Sequence, residues 1–253
     1  MIKGLYAAAS AMVMNTDRQQ TLAHNVANLD TPGFKQVLSS VEDFTKTPLV
    51  YSPGNLLADN QLTYVGDLGL GTMSGQEMTD FSQGGLENTG NDYDLAINGS
   101  GFFRVQTPDG ERFTRDGRFI RDSENSLVTV DGYNVLDDSG QPITLPEGDF
   151  VVASDGTISV NGEEAGKLGL AIFADPASEL QRADGNLFSG PAESTGEGSV
   201  TVVQQALETS NANPTQLMTQ LVEVARSYEA ASKMVETQDE LLGKTIATLG
   251  RVG

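Results

Sequence analysis

The chain has 253 residues, and 35 acidic against 15 basic side chains leave it a net charge of −20. That charge argues against nucleic acid and anionic membrane as partners, because phosphate binding relies on clustered lysine and arginine. Cysteine is absent, so neither a disulfide framework nor a thiolate metal site can form.

The negative charge is concentrated in the middle of the chain. Residues 46–202 hold eight basic and 25 acidic side chains, a net charge of −17, whereas residues 1–45 and 203–253 carry −1 and −2. We expect the nearly neutral ends to pack against each other and against other copies, and the acidic middle to face water.

The first predicted element is a long helix from about Ile2 to Asn28. One stripe recurs in alternating steps of three and four residues, the spacing that keeps a helix face on a partner helix. The stripe consists of Ile2, Leu5, Ala9, Met12, Thr16, Gln19, Ala23 and Val26. The apolar run behind Lys3 resembles a secretory signal, but a cleaved leader would have no reason to continue the stripe, so we expect no cleavage.

A rigid corner is predicted to follow this helix. The residue before a proline is pushed out of the helical region, and glycine permits a positive φ. Leu29 and Phe34 are expected to anchor the corner by apolar contacts on its two sides. The corner consists of Asn28, Leu29, Asp30, Thr31, Pro32, Gly33 and Phe34.

Residues 46–90 are predicted to form an extended arm or linker. Within 46–72, prolines and glycines interrupt short apolar pieces, which favours an extended segment with one hairpin. A structureless loop of this length would be unusual inside a compact domain, so we expect contact with another copy to order it.

Residues 91–202 are predicted to form an antiparallel, hairpin-rich β domain. Asp-Gly and Asn-Gly pairs between alternating strands are a strong hairpin signal. Turns are expected at Asp109-Gly110, Asp116-Gly117, Asp131-Gly132, Ser139-Gly140, Asp155-Gly156 and Asn161-Gly162. Predicted strands are Leu95–Ile97, Gly101–Gln106, Arg112–Arg115, Phe119–Arg121, Leu127–Val130, Tyr133–Leu136, Phe150–Ala153, Thr157–Val160 and Leu168–Ala174.

The sequence contains little that indicates catalysis. His24 is the single histidine, so no catalytic triad and no multi-histidine metal site can be assembled. Asp92 and Asp94 begin a calcium-loop spacing that Ala96 interrupts, and we expect them to cap a turn into the next strand. We therefore predict no enzyme activity, no metal and no cofactor.

Four arginines in the β domain are the remaining candidate for a ligand site. They alternate with acidic residues, a pattern typical of cross-strand ion pairs on a hairpin face. They are Arg112, Arg115, Arg118 and Arg121. We expect ion pairing there rather than ligand binding.

A second long helix is predicted from Asn213 to Leu249. Asn213 stands at the N-cap position, Pro214 at the first helical position, and Gly250 follows the end. A strict stripe again has steps of four and three, and a second apolar line suggests contact with several neighbours. The stripe consists of Leu217, Leu221, Val224, Tyr228, Ala231, Val235, Gln238, Leu242, Thr245 and Leu249. The second line consists of Met218, Val222, Ala225, Met234, Leu241 and Ile246.

Several blocks of the sequence resemble the bacterial flagellar rod and hook proteins. They occur in the same order over nearly the whole chain. The blocks are Met1-Ile2-Lys3-Gly4-Leu5-Tyr6, residues 25–35, residues 94–103, Phe113-Thr114-Arg115-Asp116-Gly117-Arg118-Phe119, Glu208-Thr209-Ser210-Asn211 and Arg226-Ser227-Tyr228-Glu229-Ala230.

This resemblance implies a structural rod subunit that self-assembles into a helical tubular polymer and transmits torque. It further implies export by the flagellar type III apparatus without a cleaved signal peptide, and a place in the basal body within the periplasmic space. Expected partners are further copies, neighbouring rod and hook proteins, the surrounding ring bushing and the export apparatus. The length favours F- or G-type rod proteins, and the arm favours the distal over the proximal rod.

The predicted fold class is α+β. Residues 1–45 and 203–253 form a discontinuous assembly domain in which the end helices pair like a coiled coil. Its expected contacts, within and between subunits, involve Ile2, Leu5, Ala9, Met12, Val26, Leu217, Leu221, Val224, Tyr228, Val235 and Leu242. The alternatives are a short flagellar hook-type protein, and a secreted adhesive or carbohydrate-active β-domain protein oligomerised by its helical ends.

Overall fold

The computed structural model describes residues 2–44, 46–51, 63–69, 71–191, 196 and 200–249. The chain separates into two compact units, and each combines segments that are distant in sequence. The helical unit comprises Met1–His24, Leu38–Met78 and Thr215–Gly253. The β unit comprises Asn25–Val37 and Thr79–Pro214.

This grouping differs from the predicted division into 1–45 with 203–253, 46–90 and 91–202. The segment that follows the first helix, the segment 79–90 and the segment 203–214 fall in the β unit, whereas 38–78 falls with the helices. Strands and hydrogen bonds that join these segments to the β unit account for the difference, as described below.

Two long helices occupy the predicted ends of the chain. α1 spans Ile2–Ala27, and α3 spans Pro214–Leu249. A single helical turn, α2, spans Pro176–Glu179. α3 has 36 residues and is therefore about 54 Å long. None of the helices within the described ranges combines the length and apolar character that crossing a bilayer requires.

The first four strands lie mainly in the helical unit. They are β1 (Val37–Asp43), β2 (Lys46–Tyr51), β3 (Thr63–Gly69) and β4 (Thr72–Thr79). β2 and β3 form the hairpin predicted within 46–72, and β1 pairs with β4. The tip of the predicted arm, residues 52–62, lies outside the described residues.

β4 runs alongside α1 in the same direction. The backbone N–H of Thr72 donates to Ser10 Oγ at 3.2 Å, and Thr21 Oγ1 donates to Glu77 Oε1 at 2.9 Å. Thr72 and Glu77 are five residues apart in the strand, and Ser10 and Thr21 are eleven residues apart in the helix. Both separations correspond to about 17 Å, so the two contacts fit a straight strand beside a straight helix.

The strands of the β unit are short, and several were not predicted. They are β5 (Leu86–Asn88), β6 (Leu95–Asn98), β7 (Gly101–Thr107), β8 (Gly110–Thr114), β9 (Phe119–Arg121), β10 (Leu127–Thr129), β11 (Asn134–Val135), β12 (Phe150–Val152), β13 (Thr157–Val160), β14 (Glu163–Lys167), β15 (Leu170–Ile172), β16 (Gln181–Arg182), β17 (Leu187–Ser189), β18 (Thr201–Gln204) and β19 (Ala206–Glu208). The main sheet has the order β16-β17-β8-β7-β11-β10-β9, and β15 also pairs with β7. All the pairings with a described register are antiparallel, as predicted.

Most predicted hairpin turns are present, and one prediction is wrong. Asn161 and Gly162 both have positive φ values, 54° and 84°, where β13 turns into β14. The strands that flank Asp116-Gly117 do not pair: β8 pairs with β7 and β17, and β9 pairs with β10. A Cβ at Gly117 would collide with the carbonyl oxygen of Leu95, so this glycine permits a close backbone approach.

Candidate assembly surface and buried clamp

The predicted stripe of α3 lies on a covered side of the helix. Leu217, Val224 and Ala231 are buried, and Leu221, Val235, Gln238, Leu242 and Thr245 are half-buried. Tyr228 is the most exposed described member of the stripe. The second line is exposed along its whole length, at Met218, Val222, Ala225, Met234, Leu241 and Ile246.

The covered side of α1 lies one residue earlier than predicted. Ala8, Asn15 and Leu22 are buried, whereas Ala9 is exposed. Leu5, Met12 and Val26 are half-buried, and the side chain of Ile2 lies outside the described residues. Within the chain, therefore, Ala9 is not on the side that meets α3, and its place between subunits stays a prediction.

Two contacts define the side of α1 that meets α3. Asn15 Nδ2 donates to Ser227 Oγ at 3.0 Å. A Cβ at Gly4 would lie 3.6 Å from Gln238 Nε2. This side carries the small residues Gly4 and Ala8, which let helix backbones come close but give a weak hydrophobic signal in sequence.

The opposite side of α1 exposes larger apolar residues. Tyr6 and Val13 are both among the exposed large hydrophobic side chains of the molecule. They are seven residues apart and so share a helix face, to which Ala9 and Thr16 also belong. Contiguous exposed apolar residues of this kind mark interaction surfaces.

The predicted corner is ordered and joins the β unit. Gly33 has φ +67°, and a Cβ there would collide with the backbone of Arg115. Its N–H donates to the carbonyl oxygen of Glu208 at 2.6 Å. Thr31 Oγ1 donates to Asn28 Oδ1 at 3.2 Å, which tightens the turn.

The two predicted anchors and the proline of the corner have different surroundings. Phe34 is buried under the guanidinium of Arg182, 4.7 Å from its ring centre, and Leu29 is half-buried. The carbonyl oxygen of Pro32 accepts a hydrogen bond from Asn186 Nδ2 at 2.9 Å.

Three buried charges form what we call the buried clamp: Lys35, Arg115 and Glu208. Their exposed fractions are 0%, 3% and 1%. Glu208 Oε1 accepts a hydrogen bond from Lys35 Nζ at 2.6 Å, and Glu208 Oε2 accepts one from Arg115 Nη1 at 3.1 Å. The N–H of Gly84 donates to Glu208 Oε1 at 2.8 Å. One carboxylate therefore forms ion pairs with two cations from distant parts of the chain.

Burial disfavours the charged forms of the two clamp cations, Lys35 and Arg115. Desolvation lowers the pKa of Lys35 below its ordinary value of 10.5, against the opposing charge of Glu208. Desolvation also lowers the pKa of Arg115, and the same carboxylate again opposes it. A buried ion pair balances this cost only while each partner stays in place.

The side-chain amides of Asn25 and Asn211 join segments of the same region, because each donates to a backbone carbonyl and accepts from a backbone N–H. Asn25 both donates to the carbonyl oxygen of Val37 at 2.7 Å and accepts from its N–H at 2.9 Å. Asn211 Oδ1 accepts from the N–H of Gln36 at 2.8 Å, and its Nδ2 donates to the carbonyl oxygen of Asp80 at 2.8 Å. Segments 25–37, 79–84 and 205–212 are thus joined within the β unit.

Sequence reasoning missed this clamp. It predicted cross-strand ion pairs on a hairpin face for all four arginines, whereas Arg118 pairs at 2.7 Å with Asp116, two positions away, and Arg115 is buried. A signal was nevertheless present, because Lys35, Arg115 and Glu208 each stand in a different block of the family resemblance.

Comparison with known proteins gives family-model matches in three parts of the chain. The family model described as "Flagella basal body rod protein" matches residues 5–35, "Flagellar hook protein FlgE/F/G D1 domain" matches 96–160, and "Flagellar basal body rod FlgEFG protein C-terminal" matches 203–248. These ranges contain most of α1 and its corner, the centre of the β unit, and α3.

Curated relatives are similar over nearly their full lengths. A flagellar basal-body rod protein FlgF of Caulobacter vibrioides is 36% identical, over 96% of this chain and 99% of the relative. A FlgF of Rhizobium meliloti is 34% identical over 99% of both chains. A FlgG of Bacillus subtilis is 31% identical over 97% of this chain and 98% of the relative. The chain belongs to the flagellar basal-body rod protein family and is a structural subunit of the rod.

Proposed function

We propose that this subunit assembles, through its two terminal helices, into a helical tubular polymer that transmits torque. The observation that carries the proposal is the exposed apolar surface of α1 and α3, which remains after the chain has covered one side of each helix. Contacts between different patches of neighbouring copies do not close and so give an open filament. Torque transmission needs buried contacts and no catalytic chemistry.

The pairing of α1 with α3 as an antiparallel, coiled-coil-like pair is part of this proposal. The contact at Gly4 lies eleven residues before the one at Asn15, and its partner Gln238 lies eleven residues after Ser227. Equal spacing in opposite directions supports straight, antiparallel helices. The small residues Gly4 and Ala8 favour a close approach, which leaves the larger Tyr6 and Val13 for other copies.

The arm is proposed to be stabilised by a second copy. The described side chains of the β2–β3 hairpin are exposed on both faces, including Leu49, Val50, Tyr64 and Val65. An isolated two-stranded hairpin is only marginally stable in water, so a covering surface would stabilise it. The preference for the distal rod rests on this arm and stays a prediction, since FlgF and FlgG relatives match the chain to similar extents.

We further propose export by the flagellar type III apparatus without a cleaved leader, and a place in the periplasmic part of the basal body inside the ring bushing. The continuous helix through residues 2–27 supports the uncleaved N-terminus, because cleavage would remove part of the paired α1. One relative is named a basal-body rod protein and another a hook-basal body complex protein. These names support the proposed location, and they support neighbouring rod and hook proteins as partners.

The test is polymerisation of the purified full chain with Val13→Asp. Val13 is exposed, so the monomer should keep its helix content, whereas a buried charge between copies should abolish sedimentable polymer. Asn98→Asp is the matched control, because it adds the same negative charge at an exposed position of the β unit, away from both terminal helices. Unchanged polymerisation of Val13→Asp would contradict the proposed surface.

A further inference from the structure

The dipeptide Asn-Gly occurs twice in the sequence, at Asn98-Gly99 and at Asn161-Gly162. An asparagine before a glycine can react within the chain, because glycine has no Cβ to keep its backbone nitrogen away from the side-chain amide carbon of the asparagine. The reaction replaces the amide by a carboxylate. Its rate in the folded chain depends on how firmly the reacting atoms are held.

The side-chain amide of Asn161 is held on both sides. Its Nδ2 donates to the carbonyl oxygen of Glu147 at 2.9 Å, and its Oδ1 accepts from the N–H of Asp149 at 3.1 Å. Rotation of the amide towards the nitrogen of Gly162 would break both hydrogen bonds. The fold therefore protects Asn161 from this reaction.

The side-chain amide of Asn98 is not held in this way. Asn98 is the last residue of β6 and is exposed. In the part of the chain that the structure describes, its side-chain amide forms no hydrogen bond. The amide carbon of Asn98 is thus free to turn towards the nitrogen of Gly99.

One side chain restrains the backbone on both sides of Asn98. Gln83 Oε1 accepts from the N–H of Gly99 at 3.2 Å, and Gln83 Nε2 donates to the carbonyl oxygen of Ile97 at 3.1 Å. The first of these bonds occupies the nitrogen that must attack. It is exposed and at the long end of the normal range, so it slows the reaction without preventing it.

We propose that Asn98 is a site of spontaneous deamidation in the folded protein, and that Gln83 limits its rate. The nitrogen of Gly99 bonds to the side-chain amide carbon of Asn98 and gives up its proton, and the amide nitrogen leaves as ammonia. Water then opens the resulting cyclic imide at either carbonyl group, which gives aspartate or isoaspartate. Water is the only co-reactant, and this inference is independent of the proposed polymer.

The isoaspartate product changes the surroundings of the buried clamp. It lengthens the main chain before Gly99 by one carbon atom and so displaces Gly99. The carbonyl oxygen of Gly99 accepts a hydrogen bond from Nη2 of Arg115, a member of the clamp, at 2.7 Å. The aspartate product adds a negative charge but leaves the main chain unaltered.

Peptide mass spectrometry of the full chain, incubated at mildly alkaline pH and digested in acid, tests the site. The peptide that contains Asn98 should gain the mass added when a carboxylate replaces an amide, and it should separate into aspartate and isoaspartate forms. Asn161 should react at least about tenfold more slowly, the factor expected when two hydrogen bonds must break first. In the urea-denatured chain, both positions should react at similar rates.

Gln83→Ala should raise the rate at Asn98 by about threefold to tenfold, the range expected for loss of one hydrogen bond. The rate at Asn161 should stay unchanged in this variant, which shows that the fold is intact. Gln141→Ala is the matched control, because Gln141 is an exposed glutamine of the same unit that forms no hydrogen bond with described residues 97–99.

Each contrary result has a definite meaning. If Asn98 stays intact in the folded chain but reacts in the denatured chain, the fold protects both positions and the proposal is overturned. Equal rates at Asn98 and Asn161 in the folded chain would also overturn it, since the reaction would then follow unfolding. A rate at Asn98 that Gln83→Ala does not change would overturn the role of Gln83.

Discussion

Glu208 is the residue that holds together the most distant parts of the β unit. Its carboxylate binds Lys35 from the segment after α1 and Arg115, which directly follows β8, and its backbone carbonyl accepts a hydrogen bond from Gly33. Loss of one member of a buried charge cluster leaves the others without compensation, which is more costly than loss of a surface pair.

Glu208→Ala should lower the free energy of unfolding of the β unit by about 3–5 kcal/mol, because two cations would remain buried. Lys35→Met should cost less, since Arg115 and Glu208 still form a pair. Chemical denaturation followed by circular dichroism measures both, with exposed Glu87→Ala as the control. Equal losses for Glu208→Ala and Glu87→Ala would contradict the role given to the clamp.

Gly33 is the second position where one residue decides the local structure. Gly33→Ala introduces both an unfavourable positive φ and a collision with the backbone of Arg115. Gly162→Ala is the matched control, because its φ is +84° but no atom lies within 4 Å of the added Cβ. We expect Gly162→Ala to cost about 1–2 kcal/mol and Gly33→Ala clearly more. Equal costs in thermal unfolding would show that the close contact at Gly33 is unimportant.

At the scale of elements, the long helices and most β-hairpins were predictable from sequence because their signals are local. α1 and α3 begin and end within one residue of the predicted positions. The buried residues of α1, Ala8, Asn15 and Leu22, lie one position before Ala9, Thr16 and Ala23 of the predicted stripe. The side of α1 that meets α3 includes Gly4, Ala8 and Asn15, which are not large apolar residues. The hydrophobic periodicity of the sequence therefore does not identify this contact.

The contribution of the α3 stripe is testable with Leu221→Asp and Val224→Asp together. Val224 is buried and Leu221 half-buried, so the double variant should separate the proposed helix pair as well as prevent polymerisation. Circular dichroism should show a loss of helix, unlike Val13→Asp, whose helix content should be unchanged. Thr219→Asp with Thr237→Asp is the control, as both threonines are exposed on another side of α3.

If the double variant keeps its helix content and polymerises at the normal concentration, the covered stripe does not hold α3 in place. A loss of both properties in the control pair would instead attribute the effect to added charge alone. The two outcomes are separated by comparing the two variants at equal net charge.

At the scale of the whole molecule, each of the two units is assembled from segments that are distant in the sequence. Contacts between such segments have no local sequence signal. The clamp joins residues 93 and 173 positions apart, and β19 pairs with β5 across more than a hundred residues. Short strands such as β16 and β17 were missed for the same reason, since two or three residues carry no measurable alternation.

The family resemblance supplied what periodicity could not, and the comparisons confirm it. The structure adds which surfaces remain exposed after the chain has folded. The acidic middle segment belongs largely to the β unit, whereas the exposed apolar faces belong to nearly neutral helices. This division agrees with the proposed role of the terminal helices in association.

Amide hydrogen exchange, compared between the monomer and the polymer, tests the central claim most directly. The account predicts fast exchange in α1 and α3 and slow exchange in the β unit of the monomer, because the helices lack the neighbouring copies that would cover them. In the polymer, both helices should become strongly protected, while protection of the β unit should change little. Helices that exchange equally fast in both states, or new protection confined to the β unit, would contradict it.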